Sequence, residues 1–320
     1  MKKGKATKEF EVIERSLTKE YRVSLWTKFT KAIKVYDLLS PGDRVCCCIS
    51  GGKDSMVMAA LFLHLEKYSD FPFEVKYLVM DPGYSKKNRE AIEENLYRLH
   101  IPATIVKTDI FHIANSISEN PCYLCAKMRR GALYRIAKEL GCNKIALGHH
   151  YDDVIETTLM NMLNSGSFQT MLPKLPSTNY EGMEIIRPMY LIREESILEF
   201  KDAYHLPFIQ CACAFTEEAS RDPSSSQRAL TKKLIKTLRE EYNPLVEKNI
   251  FISASNVTLD KIVGYKLGGE EHSFLDGYQK QKEATFAKIK EGEIERKAIE
   301  KAEREHLPLV FDETFNYRKK

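Results

Sequence analysis

Apolar positions along the chain recur with two spacings, one typical of strands and one typical of helices. From residue 44 onward, short apolar runs alternate with longer amphipathic stretches. The pattern predicts strands over 44–49, 74–81, 103–108, 144–148 and 185–188, and a last strand that ends at Cys211. It predicts helices over 55–67, 86–99, 122–140, 152–164, 194–204 and 227–242. Such alternation is typical of right-handed βαβ units, so we expect an α/β fold built on a doubly wound parallel sheet.

Helical appendages are expected at both ends of this sheet. The apolar residues of the first segment recur at helical spacing, at Leu25, Phe29, Ile33 and Tyr36. Pro41 and Gly42 end that segment. The chain is therefore expected to have four parts, which are an N-terminal helical segment (1–40), the sheet domain (41–215), a basic helical region that completes the domain (216–260) and a charged helical C-terminal extension (261–320).

The predicted helix 227–242 has a basic stripe. The basic residues are Arg228, Lys232 and Lys236, and the leucines of the opposite face are Leu230, Leu234 and Leu238. Ser224, three residues before Gln227, is the expected N-cap. A cationic stripe on a docked helix predicts phosphate contacts with RNA, whereas ordinary solvation of an amphipathic helix gives the same pattern.

Composition narrows the class of protein. The 320 residues are 43% hydrophobic, which is enough to bury a sizeable core. No run approaches the roughly 18 apolar residues of a membrane span, and the charged segment Met1–Lys5 does not resemble a secretory signal, so we expect a cytoplasmic protein. In a reducing compartment, the 8 cysteines favour metal binding or catalysis over disulfides. The net charge of +4 is too small to indicate nucleic-acid binding by itself.

A glycine-containing loop follows the first predicted strand and opens the next helix. It consists of Ser50, Gly51, Gly52, Lys53, Asp54 and Ser55. The glycines allow backbone amides to approach an anion closely, the lysine adds a compact cation, and the helix offers its positive end. The Walker A spacing does not fit this loop. We therefore expect a phosphate loop of another kind at the carboxyl ends of the strands, where Met80 and the segment 148–153 are also expected.

A second motif pairs two cysteines at the start of a helix. Cys122 and Cys125 open the predicted helix 122–140, and a helix N-terminus lowers thiol pKa values. Taken alone, this spacing fits a redox pair or half of a zinc site. Cys211 and Cys213 come at the end of a predicted strand and offer at least one further thiolate. The other cysteines are expected to pack in the core, at Cys46, Cys47, Cys48 and Cys142.

Two further groups of residues are candidates for contacts with the substrate and with the nucleotide. Basic residues follow the cysteine pair on its helix, in reach of a substrate phosphate, at Arg129, Arg130, Arg135 and Lys138. His149 and His150 are expected to line the nucleotide pocket or to orient Asp152 rather than to bind zinc.

Five segments of the chain, taken in order, match the motifs of one known family. They are Ser50–Ser55, Cys122–Gly131, Gly148–Asp153, Ile186-Arg187-Pro188 and the pair Cys211/Cys213. These motifs resemble the TtcA family of tRNA 2-thiocytidine synthetases, and the resemblance covers about residues 20–257. It implies a PP-loop ATP pyrophosphatase (Rossmann-like) domain and the activity of an ATP-dependent tRNA thiolase. It also implies a 4Fe-4S cluster held by three cysteines.

On this resemblance, Cys122 and Cys125 are two of the cluster ligands. The family has Cys-x-x-Cys at the later site, whereas this chain has Cys-x-Cys, so the third ligand is Cys213 or Cys211, with Cys213 favoured. Three ligands leave one iron open to hydrosulfide. ATP would convert the C2 oxygen of a cytidine into an adenylate, and the sulfide would then displace AMP.

The resemblance also implies the other cofactors and the partners. Lys53 and the loop amides would stabilise the departing pyrophosphate, and Mg²⁺ on it would be bound by Asp54, Asp152 and Asp153. The expected nucleotide contacts are Ser50, Gly51, Gly52, Lys53, Asp54, Ser55, Met80 and Gly148. The expected partners are a tRNA substrate and a sulfur donor such as a cysteine desulfurase. A homodimer is an open option, because many proteins of this class are dimers.

Three alternatives stay open at this point. The first is a thiolase without a cluster, in which Cys125 and Cys213 pass sulfur as a persulfide. The second is an ATP-dependent ligase or amidase that acts on a small molecule and holds structural zinc. The third is a nucleotide-binding regulatory protein without turnover, for which the aspartates and the cysteine set would be unnecessary.

Overall fold

The computed structural model of the chain describes residues 3–116, 121–209 and 226–290. The chain forms two compact units, one that ends at Ser255 and one that begins at Asn256. Within the described residues, no helix combines the length and the apolar character needed to cross a membrane.

A six-stranded sheet forms the centre of the first unit. Its strands are β1 (Arg44–Ile49), β2 (Glu74–Asp81), β3 (Ala103–Lys107), β4 (Lys144–Ala146), β5 (Lys174–Pro176) and β6 (Glu184–Ile186). Their order across the sheet is β3-β2-β1-β4-β6-β5, and each pairing is parallel except that of β5 with β6. The predicted doubly wound parallel sheet is therefore confirmed, with one antiparallel strand added at its edge.

The helices of the first unit follow the predicted alternation. They are α1 (Lys3–Thr18), α2 (Thr27–Val35), α3 (Lys53–Tyr68), α4 (Lys86–Arg98), α5 (Ile110–Ser116), α6 (Pro121–Glu139), α7 (Tyr151–Ser165), α8 (Glu194–Ala203), α9 (Gln227–Thr237) and α10 (Val246–Ser253). Short π-helical turns join α1 to α2 and continue α9, at Arg22–Trp26 and Leu238–Tyr242.

Strand β1 is buried on both of its faces. Cys47 packs in the larger core cluster, which includes residues of α2, α3 and α8, whereas Cys46 and Cys48 pack in a second cluster with residues of α6. A strand covered on both faces has a continuous apolar sequence, which is why β1 is evident from the sequence alone. Because Cys142 is also buried, the expectation that these four cysteines pack in the core is confirmed.

The N-terminal helices pack on the sheet through the residues that the helical spacing identified. Leu25, Phe29 and Ile33 are buried, and Phe29 meets Phe62 of α3 edge to face with ring centroids 5.2 Å apart. Burying a side chain of this size contributes about 1.5–3 kcal/mol, so these contacts fix α2 on the core.

Two predictions about the later part of the first unit are wrong. The loop containing Pro173 and Pro176 includes strand β5, because an edge strand tolerates a proline that a central strand would not. The described part of the expected strand before Cys211, which reaches Ile209, is not a strand. Cys211 and Cys213 themselves lie outside the described residues.

The orientation of α9 also differs from the prediction. Ser226, rather than Ser224, caps the helix, because its Oγ accepts a hydrogen bond from Ala229 N at 3.1 Å. The buried residues are Thr231 and Ile235, whereas Leu230 and Leu234 are 55% and 39% exposed. Thr231 can be buried because its hydroxyl donates to the Gln227 carbonyl at 2.8 Å, which satisfies its polar atom within the helix.

The described part of the second unit contains a short 3-10 helical turn (Leu259–Lys261) followed by a hairpin. Strands β7 (Gly264–Leu267) and β8 (Glu270–Ser273) pair antiparallel, and helix α11 (Tyr278–Lys290) follows them. Gly268 and Gly269 both have positive φ, 61° and 92°, as a two-residue hairpin turn requires. The expectation of a wholly helical extension over 261–320 is therefore wrong for the hairpin, and its part beyond residue 290 lies outside the described residues.

Candidate nucleotide site

The loops that follow β1 and β4 lie side by side at the topological switch point of the sheet. Helix α3 follows β1 directly, and Gly148 lies in the loop that follows β4. A Cβ atom placed on Gly148 would lie 3.1 Å from the backbone of Asp54 and Ser55, which is closer than most real Cβ contacts. Glycine at this position therefore allows the two loops to meet where α/β proteins bind nucleotides.

The phosphate loop is held in shape by its own serines. Ser50 N donates to Ser55 Oγ at 3.0 Å, and that hydroxyl donates to the Gly52 carbonyl at 3.0 Å. Gly52 is the N-cap of α3, and no side chain caps the helix there. Uncapped amides at a helix N-terminus form an anion-binding site, so the loop has the geometry expected of a phosphate cradle.

A cavity of about 470 Å³ opens beside this loop. Six of the residues predicted for the site line it, namely Ser50, Asp54, Ser55, Met80, Gly148 and Asp153. It is also lined by His149, which was expected at the nucleotide pocket, and by residues that were not predicted as nucleotide contacts, among them Cys48, Arg129, Arg130, Leu133 and Leu147. Gly51, Gly52, Lys53 and Asp152 do not line it. The structure thus places about half of the predicted nucleotide-site residues around one cavity, together with the arginine pair Arg129 and Arg130.

The ammonium group of Lys53 is held by two carboxylates. Its Nζ lies 3.0 Å from Asp54 Oδ1 and 3.0 Å from Glu194 Oε1, at the start of α8. Burial opposes the charged form of Lys53, but the two carboxylates outweigh burial and raise its pKa. Burial would raise the pKa of Glu194, but hydrogen bonds from Lys232 and Lys53 lower it to about 2. Lys53 therefore stays charged and has a fixed position beside the loop.

Three aspartates surround the buried side chain of His150. Its Nε2 lies 3.7 Å from Asp54 Oδ1 and 3.5 Å from Asp153 Oδ2, and its Nδ1 lies 3.7 Å from Asp152 Oδ2. Asp54 Oδ1 is buried and accepts no hydrogen bond of normal geometry. No three His, Cys, Asp or Glu residues of the described ranges are arranged to hold a metal ion. Asp54 is therefore suited to supply one ligand to a Mg²⁺ ion whose other ligands are phosphates and waters.

The other two aspartates already have basic partners. Asp152 is 2.9 Å from Arg193 Nη2 and accepts from Glu194 N at 2.7 Å, which holds its carboxylate outside the cavity. Asp153 pairs with Arg228 of α9 at 2.6 Å. The basic stripe of α9 therefore faces the site carboxylates with at least two of its members, because Lys232 contacts Glu194 in the same way.

Helix α6 brings the cysteine pair close to the cavity. Arg129 and Arg130 line the cavity, and the half-buried Cys125 precedes Arg129 by about one helical turn. Cys122 lies in the first turn of the same helix, and its side chain is outside the described residues. The arginine pair therefore lies between the nucleotide cavity and the end of α6 that carries the two cysteines.

The chain leading to the later cysteines also contacts the phosphate loop. Ile209 N donates to the Gly51 carbonyl at 3.4 Å, and a Cβ on Gly51 would lie 2.7 Å from Ile209 Cδ1. Cys211 and Cys213 follow Ile209 by two and four residues in the sequence.

Comparisons with known proteins identify the family of this chain. A PP-loop domain family model matches residues 23–223. A tRNA-cytidine(32) 2-sulfurtransferase of Citrifermentans bemidjiense is 36% identical over 231 residues, which are 71% of this chain and 88% of that protein. The enzyme of the same name from Geotalea uraniireducens is 35% identical over 243 residues, covering 73% and 93% of the two chains. The chain belongs to the TtcA family of PP-loop sulfurtransferases.

A solved structure shares the fold of this TtcA family member. It is the U34-tRNA thiolase NcsA of Methanococcus maripaludis with its 4Fe-4S cluster, which is 23% identical with a TM-score of 0.55 and covers 72% of this chain and 76% of that one. Similarity at this level supports the α/β fold, and it carries no argument about individual residues.

The first site residue that sequence reasoning missed in this TtcA family member is Glu194. It contacts Lys53 only because α8 begins beside the phosphate loop, and no local signal marks it. His149 was expected at the nucleotide pocket, but its partner Arg187, whose Nε lies 3.3 Å from His149 Nδ1, was not. The sequence signal for that pair is the Ile186-Arg187-Pro188 motif, which matches the family but to which no role was assigned from the sequence.

Gly51 is the loop residue whose replacement has the clearest expected effect on stability. Its φ is +82°, and an added Cβ would overlap Ile209 and Ile92, each at 2.7 Å. We expect Gly51→Ala to lower the free energy of unfolding by about 2–4 kcal/mol, of which about 1–2 comes from the backbone and the rest from the overlap. Gly182→Ala is the matched control, because Gly182 also has positive φ, +73°, but has no atom within 4 Å. Urea unfolding of both variants tests this, and equal losses would contradict the overlap.

The imidazole of His149 makes stability depend on pH. Burial and the nearby charge of Arg187 lower the pKa of His149 to about 4 from its ordinary 6.5. Between these values the unfolded chain binds more protons than the folded protein, so His149 reduces stability as the pH falls from 6.5 towards 4 and has no such effect at higher pH. Urea unfolding should therefore show a smaller loss between about pH 7.5 and pH 5 for His149→Gln than for the wild type. Equal losses would contradict this assignment.

Proposed function

We propose that this protein uses ATP to adenylate the C2 carbonyl of a tRNA cytidine and then replaces that oxygen with sulfur, with the help of a 4Fe-4S cluster. The names of the relatives support the cytidine substrate. The observation that carries the proposal is the convergence at the end of β1, where the phosphate loop and the arginine pair of α6 line one cavity and Ile209 contacts the loop. Those two segments lead directly to the two cysteine motifs.

The nucleotide occupies the cavity with its phosphates on the loop. The amides at the start of α3 and the fixed cation of Lys53 bind the phosphates, and Asp54 contributes a ligand to Mg²⁺. The cytidine oxygen attacks the α-phosphorus of ATP, and pyrophosphate leaves. Lys53 and the loop amides stabilise the negative charge that builds up on pyrophosphate as it departs.

The sulfur-transfer half of the reaction uses the cysteine-bearing edge of the cavity. Cys122 and Cys125, with Cys213 or Cys211, would hold the cluster, and the described neighbours of these cysteines are Arg129 and Arg130 at the cavity and Ile209 at the loop. When bound, a cluster with three protein ligands supplies an open iron for hydrosulfide. Sulfur adds to C2 of the adenylated base, and AMP leaves with the oxygen that the adenylation activated. Arg129 and Arg130 are suited to bind the phosphates of the substrate beside this edge.

The partners follow from this chemistry. The substrate is a tRNA, and hydrosulfide equivalents come from a sulfur donor such as a cysteine desulfurase. Arg130 is exposed, and Lys236 is 66% exposed with Glu240 3.9 Å away, so both can reach RNA phosphates, whereas Arg228 and Lys232 are held by less exposed carboxylates of the site. We infer a cytoplasmic location, where tRNA is found, and a homodimer stays a prediction.

A purified system tests the proposal directly. Protein prepared without oxygen should be brown, and with ATP, tRNA and sulfide it should form AMP, pyrophosphate and 2-thiocytidine in equal amounts. Removing iron with a chelator should abolish 2-thiocytidine, and rebuilding the cluster should restore it. Iron-free protein that still thiolates would contradict the cluster, and pyrophosphate release without tRNA would favour a small-molecule ligase instead.

A further inference from the structure

The two ring nitrogens of His149 have different surroundings. Nδ1 lies 3.3 Å from Arg187 Nε. Nε2, on the far side of the ring from Arg187, has no hydrogen-bond partner among residues 3–116, 121–209 and 226–290. His149 lines the cavity beside the phosphate loop, and Arg187 does not. The ring therefore has one nitrogen fixed by the protein and one available to a ligand.

Arg187 determines which nitrogen of His149 carries the proton. A guanidinium group only donates hydrogen bonds, so Nδ1 must accept, and the neutral ring must be protonated on Nε2. Arg187 is fixed in turn, because its Nη1 donates to the Leu172 carbonyl and its backbone N donates to the Pro173 carbonyl at 2.9 Å. Burial and the charge of Arg187 lower the pKa of His149 to about 4, which keeps the ring neutral at neutral pH. The cavity thus contains a neutral N–H donor that cannot become an acceptor without losing its contact with Arg187.

The charged and neutral donors of the cavity suit different parts of the reactants. Arg129 and Arg130 line the cavity as cations, Lys53 lies beside the phosphate loop, and charged donors bind phosphate oxygens strongly. A neutral imidazole binds a phosphate less strongly than a cation does, and it is better matched to an uncharged hydrogen-bond acceptor of a nucleobase. Cytosine presents such an acceptor at N3, next to the reacting C2, whereas uracil presents an N–H donor at the same position.

We propose that His149 recognises the target base by donating Nε2–H to cytosine N3, and that Arg187 is a positioning residue that fixes the required tautomer. This inference rests on the proposed cytidine thiolation. A donor at N3 also withdraws electrons from C2 and favours the addition of sulfur there. Uracil is rejected because its N3–H would meet the Nε2–H of His149, which leaves two buried donors unpaired.

Two His149 variants separate the two nitrogens. A glutamine places its amide nitrogen near the position of Nε2, whereas an asparagine places its amide near Nδ1. For thiolation of a cytidine tRNA, we expect kcat/KM to fall by less than about 10-fold in His149→Gln and by about 100-fold in His149→Asn. His112→Gln is the control, because His112 is an exposed histidine of α5.

Discrimination between cytidine and uridine is the more specific readout. A glutamine amide can rotate to accept from uracil N3–H, and in Arg187→Met the His149 ring can take the other tautomer. Both variants should therefore thiolate a tRNA with uridine at the target position at least about 10-fold faster relative to cytidine than the wild type does. A role of His149 in folding alone would not change this ratio. An unchanged ratio in both variants would overturn the proposal.

Nitrogen-15 NMR of the wild-type protein tests the tautomer without any variant. We expect His149 to show a protonated Nε2 and an unprotonated Nδ1 at neutral pH, in the presence or absence of substrate. A proton on Nδ1, or a doubly protonated ring, would overturn the inference. The two proposals can fail separately, because a protein that makes no 2-thiocytidine refutes the cytidine function while the NMR result still reports the tautomer.

Discussion

Replacing Lys53 by methionine should lower the rate of ATP-dependent thiolation by about 100- to 1000-fold, as the loss of one charge-stabilising group does in other enzymes. The ammonium group is charged and fixed between Asp54 and Glu194. Methionine keeps the length of the side chain and removes the charge, so the loss should appear mainly in kcat, with the pyrophosphate-releasing step slowed. Single-turnover assays that follow pyrophosphate and 2-thiocytidine measure this effect.

The control for this variant is Lys67→Met. Lys67 lies on the same helix and pairs with Glu14 at the opposite end of α3 from the phosphate loop. It should keep close to the wild-type rate, because a partly exposed ion pair contributes at most about 1 kcal/mol to stability. If Lys53→Met retained more than about a tenth of the wild-type rate, Lys53 would not be the group that stabilises pyrophosphate.

The second large effect is expected for Cys125→Ser. The variant should bind no cluster and form no detectable 2-thiocytidine, because a serine hydroxyl is a poor ligand for iron in place of a thiolate. Its ATP binding should remain, because the phosphate loop and Lys53 are untouched. Iron analysis, the visible absorption spectrum and nucleoside analysis of the same preparation measure the three properties.

Cys142→Ala is the matched control for the cysteine variant. Cys142 is 5% exposed, packs with Cys46 in the second core cluster, and is not one of the predicted cluster ligands. It should keep its iron and its activity, with only a small loss of stability. A Cys125→Ser protein that keeps both iron and thiolation would remove Cys125 from the ligand set, and one that loses thiolation but keeps iron would favour a persulfide at Cys125.

The parts of the fold that could be predicted from the sequence are those whose apolar pattern or motif lies within one short segment of the chain. Strand β1 is apolar along its whole length because helices cover both faces of the sheet, and the phosphate loop carries its glycines and its lysine in one short segment. The strands and helices of the parallel sheet lie within a few residues of their predicted bounds for the same reason. Local sequence therefore determined the fold class and the position of the loop.

The errors arise where distant contacts decide the outcome. In the sequence, the leucines of α9 resemble a buried face. In the structure, Arg228 forms ion pairs with Asp153 and Glu156, and the helix in this orientation buries Thr231 and Ile235 instead. The hairpin in the second unit was missed because its strands are short, charged and largely exposed, so they lack the alternation that marks a half-buried strand.

The candidate site shows the same division. Ser50, Asp54 and Ser55 could be predicted because the loop motif contains them, whereas Glu194 could not, since only the folding of α8 onto the loop brings it to Lys53. Asp152 has the residue type expected of a Mg²⁺ ligand, but its contact with Arg193 directs the carboxylate elsewhere. Motifs identify which residues enter a site, and tertiary contacts decide which of them face the ligand.

Mass spectrometry of tRNA nucleosides from cells that lack this protein tests directly whether it thiolates cytidine. We expect 2-thiocytidine to disappear from these cells, and we expect the intact protein, but neither Lys53→Met nor Cys125→Ser, to restore it. Normal 2-thiocytidine in these cells, or loss of a different thionucleoside alone, would contradict the assignment of this protein as the enzyme that thiolates cytidine.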